Sequence, residues 1–321
     1  MDTTYNQLRN DCQDTLDRLL QAATTGMLAP SMHSLIERSD EWRRKAPSAW
    51  RNLVADVVSP HPLWAMAVAC PMTQRARSKP RGYAGDAVMM DMIYDRDRIA
   101  GLEPSSSTRD MFNAVTGSPT CASVEYRRRL IAARIDALAA ARRADGTGPI
   151  KVLSLACGHA RELDLSSAVR DGGVARAVMC DQDGASLADI SQRLGGSDAV
   201  ETRALTVRQF IANARETADL QQFDFVYTAG LYDYLEESVA VRLTSSLFDR
   251  LAPGGQLLLA NYHPDNRGTG YMEAFMDWWL IYRDDAQMAG LASGISPEHV
   301  AQRTLERDPF GNVVYLTLTR R

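Results

Sequence analysis

Five short apolar runs recur between residues 151 and 261: Lys151–Ala156 (KVLSLA), Ala175–Asp181 (ARAVMCD), a run near Val200–Leu205, Phe223–Thr228 (FDFVYT) and Gln256–Asn261 (QLLLAN). Helical patterns separate them, among them Gly184–Leu194 and Ser238–Leu251. Strands of this length alternating with helices predict βαβ units and a parallel sheet covered on both faces. Near the end the alternation stops. Ala301–Arg307 and Val313–Thr319, joined around Pro309–Asn312 (PFGN), read as a β-hairpin. The prediction is an α/β, Rossmann-like, seven-stranded sheet closed by a C-terminal hairpin, an ending that a plain dinucleotide-binding domain usually lacks.

Upstream of the turn Asp145-Gly146-Thr147-Gly148-Pro149 the pattern is helical. Leu8, Cys12, Leu16, Leu19 and Ala23 recur at helical spacing, and further helices are predicted over about Ser31–Arg44 and Ser48–Val58. In the latter, Trp50, Leu53, Val54 and Val57 share one face. Val124, Leu130, Ile131, Ile135 and Leu138 mark the apolar side of a long helix ahead of the turn. Two domains are therefore expected: an all-α region over 1–145 and an α/β region over 146–321.

Composition narrows the function. Of the 321 residues 45% are apolar, enough for a sizeable core, and the net charge of −4 is no basic nucleic-acid footprint. The start, MDTTYNQLRNDCQD, has no basic, apolar leader, and no run approaches a membrane span, so a cytoplasmic chain without stable membrane insertion is expected. Cys12, Cys70, Cys121, Cys157 and Cys180 are scattered without a CxxC, and the five histidines are dispersed. Neither a disulfide framework nor a metal site is expected.

The first strand runs into Ala156-Cys157-Gly158-His159-Ala160-Arg161-Glu162. In a doubly wound sheet the ligand lies at the carboxyl ends of the strands, and small residues here allow backbone to approach it. The second strand ends in Asp181, placed to accept from ribose hydroxyls, with Gln182 bordering a base. A full GxGxxG is absent, which favours S-adenosylmethionine (SAM) over a nicotinamide cofactor. The predicted class is a class I SAM-dependent methyltransferase. Such enzymes commonly carry an acid where this chain has Ser154, so Glu162 or Asp86 is expected to take the SAM ammonium. For Glu162 the alternative is capping of a following helix.

The fourth strand ends in Ala229-Gly230-Leu231-Tyr232-Asp233-Tyr234-Leu235. Ala229 and Gly230 are expected at the cofactor, Tyr232 at the chemistry and Tyr234 at the acceptor. The alternative is a capping Asp233 beside core tyrosines. His263, at the end of the fifth strand, is a candidate base.

Three further segments carry a family likeness: Lys79–Asp86 (KPRGYAGD), Ala229–Leu235 (AGLYDYL) and Met272–Arg283 (MEAFMDWWLIYR). With the Ala-Cys-Gly loop they resemble the bacterial methyltransferases of 3-hydroxy fatty acid methyl ester biosynthesis, which make an ester quorum signal. The resemblance spans most of the chain from about His61 to Tyr282. It implies that KPRGYAGD is an active-site lid, with Tyr83 at the cofactor, Arg81 at the acceptor and Asp86 in catalysis. It also implies that 272–283 is a helix lining the acceptor pocket, with Tyr282 and Arg283 holding a carboxylate. Glycine-turn, core-stripe and surface-salt-bridge readings stand beside these.

Methyl transfer from a sulfonium is an in-line displacement in which positioning supplies much of the barrier reduction. A carboxylate acceptor is already ionised, whereas a hydroxyl or amine needs a base, for which Tyr232, His263 and Asp86 are the candidates. O-methylation of a small 3-hydroxy-acid-like molecule is the first expectation. N-methylation of an amino-acid-like or heterocyclic metabolite, a non-catalytic SAM or nucleotide sensor, and an NAD-linked oxidoreductase are its rivals. The helical N-terminus is read as a lid or a dimerisation surface, so a homodimer is one expectation.

Overall fold

The computed structural model describes residues 3–96 and 106–321. It divides into two compact units: residues 1–125 with 266–279, and residues 126–265 with 280–321. The boundary expected at 145 thus falls elsewhere, in two respects. Most of the long helix joins the sheet unit, and a segment following the fifth strand joins the helical unit.

The helical unit contains α1 (Thr3–Thr24), α2 (Leu28–Lys45), α3 (Trp50–Leu53), α4 (Pro62–Val68), α5 (Pro71–Ser78), α6 (Ala87–Tyr94) and α7 (Ser106–Thr116). Cys12 and Leu16 of α1 and Met32, Leu35, Ile36 and Trp42 of α2 are buried, as their helical spacing requires. The helix expected over 48–58 is two pieces. After α3 the chain opens into a π turn over Val54–Val58, which buries Val57 and Val58 side by side.

The returning segment is stitched into this unit through polar contacts. Its helix is confined to Thr269–Ala274. Asp40 of α2 accepts the backbone N–H groups of Gly268 (2.6 Å) and Gly270 (2.7 Å), occupying donors that a helix start leaves open. Buried Glu273 accepts from Arg43 Nε (2.7 Å) and Trp50 Nε1 (2.8 Å). The helix expected over 272–283 therefore ends early: beyond Ala274 the chain is irregular, and Asp277 adopts a left-handed φ of 49°.

The sheet unit starts in the helix α8 (Pro119–Ala144) and continues through β1 (Ile150–Leu155), α9 (Ser167–Arg170), β2 (Val174–Asp181) and α10 (Gly184–Leu194). Then follow β3 (Val200–Ala204), α11 (Val207–Ile211), β4 (Phe223–Ala229), α12 (Glu237–Phe248) and β5 (Leu251–Tyr262). Two last strands, β6 (Val300–Arg307) and β7 (Val313–Arg320), form the predicted hairpin. The strand order is β3-β2-β1-β4-β5-β7-β6, parallel through β5 and antiparallel at β7. The order reverses between β1 and β4, and a crevice opens at such a switch point.

Alternation sorts the two faces. Leu153, Leu155, Val178, Cys180, Val226, Leu257, Leu259, Val314, Leu316 and Leu318 turn to one side, onto Ala240, Leu243 and Leu247 of α12, forming the main apolar core. The opposite side carries Ser154, Met179, Tyr227, Leu258 and Thr317 in one register row, and Ala229, Ala260 and Tyr315 in the next. On that side Arg134 of α8 donates to Gln256 (3.0 Å), and the rings of Tyr126 and Tyr315 lie 6.5 Å apart.

Candidate cofactor site

The loop leaving β1 is built by backbone conformation. Ala156, Gly158 and Ala160 all have positive φ, at 55°, 54° and 46°. Small residues tolerate such a repeat of left-handed turns, and the loop closes on itself and on β2: the Cys157 amide donates to the Cys180 carbonyl (3.1 Å) and the Ala160 amide to the Cys157 carbonyl (2.9 Å). Asp181, at the end of β2, fastens the loop. Its Oδ2 accepts the Gly158 amide at 2.8 Å and its Oδ1 the Asp183 amide at 2.9 Å. Each oxygen retains a further lone pair, so this buried carboxylate is able to accept from a ribose diol as well. Exposed Gln182 follows it. Small residues and a buried carboxylate at a switch point suit the adenosine half of SAM.

Glu162 is not a helix cap. The residues after the loop form turns, and the four-residue α9 starts at Ser167, capped by the Ser166 hydroxyl and by Asp136. Glu162 instead turns inward, where the Tyr227 phenol donates to its Oε1 at 2.5 Å. Burial pushes the Glu162 carboxyl above its usual range, against the Tyr227 hydrogen bond and the charges of Arg127 and Arg193, which pull it down. Cys157 is no thiolate: burial, reinforced by Asp181, drives its thiol well up.

This seven-stranded order, with β7 antiparallel, is the class I SAM methyltransferase fold. No protein-family model matches the sequence, and no curated protein matches it. Solved structures do. A possible exported protein from Bordetella parapertussis superposes with a TM-score of 0.53 at 14% identity, over 82% of this chain and 98% of that one. The N-methyltransferase NodS from Bradyrhizobium japonicum reaches 0.41 at 13% identity, over 61% and 96%. The magnesium protoporphyrin IX methyltransferase from Synechocystis, with bound SAM, reaches 0.41 at 14%, over 63% and 84%. At such identities the likeness is one of fold, and the two weaker superpositions say nothing about activity.

The candidate catalytic and acceptor residues are placed differently from expectation. Tyr232 is wholly buried in the apolar core, its hydroxyl 2.9 Å from Thr244 Oγ1 of α12, and burial drives its phenol up. It is a core tyrosine. Tyr234, beside it, is 39% exposed. Arg283 is a buried staple: Nη1 donates to the Tyr232 carbonyl and to Asn261 Oδ1, each at 2.7 Å, and Nη2 donates to the Leu235 carbonyl. Those bonds fix the β4 and β5 ends, where a carboxylate clamp had been expected. Tyr282 is half-buried next to it. His263 has the Asp265 amide 3.1 Å and the Asp265 carboxylate 3.5 Å from Nδ1, and Arg307 Nη2 2.8 Å from Nε2. Asp233 caps no helix; its Oδ1 accepts the Tyr262 amide at 2.7 Å, and burial pushes it up to about 6.

Asp86, Arg81 and Tyr83 belong to the helical unit. Asp86 is fully buried, receives Arg75 Nε (2.8 Å) and Nη2 (2.7 Å), and caps α6 through the Met89 amide (2.9 Å). That bidentate pair and the cap make Asp86 a structural part of the loop. The motif packs on the third resemblance segment: Lys79 Nζ meets Asp277 Oδ2 at 2.7 Å, and a Cβ at Gly85 would stand 2.5 Å from Trp278. Arg81 and Tyr83 are half-buried in the loop between.

One residue escaped the sequence reading. Arg127 of α8 is only 8% exposed, and its Nη1 lies 3.3 Å from where a Cβ of Gly230 would stand. Gly230, with φ 95°, follows β4, so a guanidinium sits at the carboxyl end of that strand beside the switch point. An arginine inside a long helix carries no local mark of such a role.

Proposed function

We propose that this chain is a SAM-dependent methyltransferase acting on a small molecule, with O-methylation of a carboxylate as the chemistry. The observation that carries the reading is the Asp181 carboxylate pinning a loop of three left-handed small residues at the switch point of a class I sheet. Ala156, Cys157, Gly158, Asp181, Gln182, Ala229 and Gly230 are the proposed cofactor residues, with Glu162 beside them. SAM, when bound, supplies an electrophilic methyl group. The chain aligns an acceptor with it and excludes water.

The preference for a carboxylate acceptor rests on the side chains that were candidates for a base. Tyr232 is held in the core, the Arg307 guanidinium lies against His263 Nε2, and Asp86 is tied to Arg75. An acceptor that is already ionised needs none of them. A 3-hydroxy acid, the acceptor class implied by the sequence resemblance, fits this chemistry.

Mass spectrometry of the purified protein with SAM and a panel of hydroxy acids, amino acids and heterocycles tests the proposal. A hydroxy acid heavier by one methyl, with the new group lost on mild alkaline hydrolysis, is the expected result. A methylated amine would overturn the ester reading and retain the enzyme class. Binding of SAM without any transfer would favour a sensor.

A further inference from the structure

We propose that the helical unit carries a docking surface for an anionic lipid bilayer, formed by the apolar helix α4 and the arginine–tryptophan stacks beside it. Every residue of this surface belongs to the helical unit, so it stands or falls apart from the SAM reading.

The sequence here departs from the rest of the chain in charge. Between Trp42 and Gly85 stand eight basic residues and one acid, Asp56, in a chain whose net charge is −4. Inside that stretch Pro62–Pro71 (PLWAMAVACP) has no charged, amide or hydroxyl side chain. The helix α4 buries a narrow stripe, Leu63 and Ala67. A surface helix ordinarily places polar residues at its remaining positions. Here those positions hold Trp64, Met66 and Val68, half-buried, and Ala65, exposed, with exposed Ala69 just beyond. An apolar run partly open to water and bordered by cations is the composition of a segment that lies in the lipid headgroup layer.

Geometry joins the cations to the apolar helix. The Arg77 guanidinium of α5 stands over the Trp64 ring, 4.6 Å from its centroid, and that of Arg51 in α3 stands over Trp279 at 3.7 Å. Both arginines are exposed, and among the described residues neither pairs with a carboxylate. The returning segment links the two stacks. Trp64 Nε1 donates to the Ala274 carbonyl at 3.3 Å, and Trp279 Nε1 to Asp277 Oδ1 at 3.1 Å. Two acids of this surface are already matched: Asp277 is tied to Lys79, and Asp17 lies 3.0 Å from His61 at the start of α4. Positive charge is thus left around an apolar patch.

Three features select a bilayer over other polyanions. An arginine over each indole closes one face of the ring to a stacking base, which tells against a nucleic acid. The free charges sit on separate helices, α3 and α5, which suits the diffuse field of an anionic leaflet. Tryptophan beside exposed aliphatic side chains matches the membrane–water interface, where the ring sits at headgroup level. With seven residues α4 is about 10 Å long, too short to cross a core of about 30 Å, so the attachment is peripheral.

The test is co-sedimentation of the purified protein with vesicles of phosphatidylcholine, with and without about 30% phosphatidylglycerol. Binding is expected to the anionic vesicles, about 10-fold or more tighter than to the neutral ones, and lost between about 0.05 M and about 0.5 M salt. Arg51→Gln with Arg77→Gln should weaken it about 10- to 30-fold. Arg51→Lys with Arg77→Lys, which keeps both charges, should stay within about 3-fold of the wild type. Ala65 separates hydrocarbon from charge. Ala65→Leu should tighten binding about 3-fold or more and Ala65→Glu weaken it about 10-fold, both with unfolding midpoints near wild type because the position is exposed. Absence of binding at low salt, equal binding to neutral vesicles, or indifference to the arginine variants would overturn the lipid assignment. So would soluble polyglutamate that binds as tightly as the anionic vesicles while Ala65→Leu changes nothing, a result that points to an acidic protein.

Discussion

The Tyr227 phenol donates to Glu162 Oε1 at 2.5 Å, and both side chains are buried. This bond pulls down a carboxyl that burial pushes up, so it helps keep Glu162 ionised. Tyr227→Phe should raise the Glu162 pKa further. Binding of S-adenosylhomocysteine should then weaken most on the acid side and recover as pH rises. Calorimetry from about pH 5.5 to about 8.5 reads this directly; a loss independent of pH would show that the phenol acts only through packing.

Asp181 should matter to ligand and loop together. Asp181→Ala removes the acceptor of the Gly158 and Asp183 amides. The expected loss in SAM affinity is about 1.5–3 kcal/mol. Asp181→Asn, which retains an acceptor for one amide, should lose less. Equal affinity in a folded alanine variant would remove Asp181 from the ribose site.

Asp233 predicts a pH dependence. Burial raises it from 3.8 to about 6, so the folded protein holds this proton more tightly than the unfolded chain. Its stabilising contribution is full below about pH 3.8 and is lost as pH rises through about 6, a change on the order of 3 kcal/mol. Asp233→Asn keeps an acceptor for the Tyr262 amide and abolishes that slope. Urea unfolding at about pH 4 and about pH 7 should show the variant gaining on wild type at the higher pH.

Arg283 should affect stability more than affinity. Arg283→Met removes the guanidinium donor from the Leu235 carbonyl and Asn261 Oδ1, and one of two donors from the Tyr232 carbonyl. A destabilisation of about 3 kcal/mol or more is expected, measured by denaturant unfolding. Unchanged stability with a raised acceptor KM would restore the clamp read from the sequence.

Gly85 is demanded by packing. A methyl there would lie 2.5 Å from Trp278 Cζ2, so Gly85→Ala forces the indole to move. The expected cost is about 1–3 kcal/mol, visible as a lowered unfolding midpoint. Gly82, with open space around it but φ 89°, should cost about 1 kcal/mol on substitution, through backbone strain alone.

The sequence by itself determined the sheet unit. The five parallel strands, α10 and the closing hairpin are written in short-range signals, namely apolar alternation, small residues at the β1 loop and an acid at the end of β2. Tertiary structure decided which polar groups meet. Glu162 and Tyr227 are 65 residues apart, and Asp40 reaches Gly268 across 228. No local pattern reports such a pairing, because a buried polar group takes whichever partner the fold brings within hydrogen-bond distance. The same competition ended the helix predicted over 272–283: Lys79 and the Trp279 indole both hold Asp277, whose left-handed backbone cannot continue it. It also turned Arg283 onto carbonyls, sank Tyr232 into the core and set Arg127 beside Gly230. Periodicity tells a side chain which face to occupy, but the charge and hydrogen bonds it finds there come from the rest of the chain.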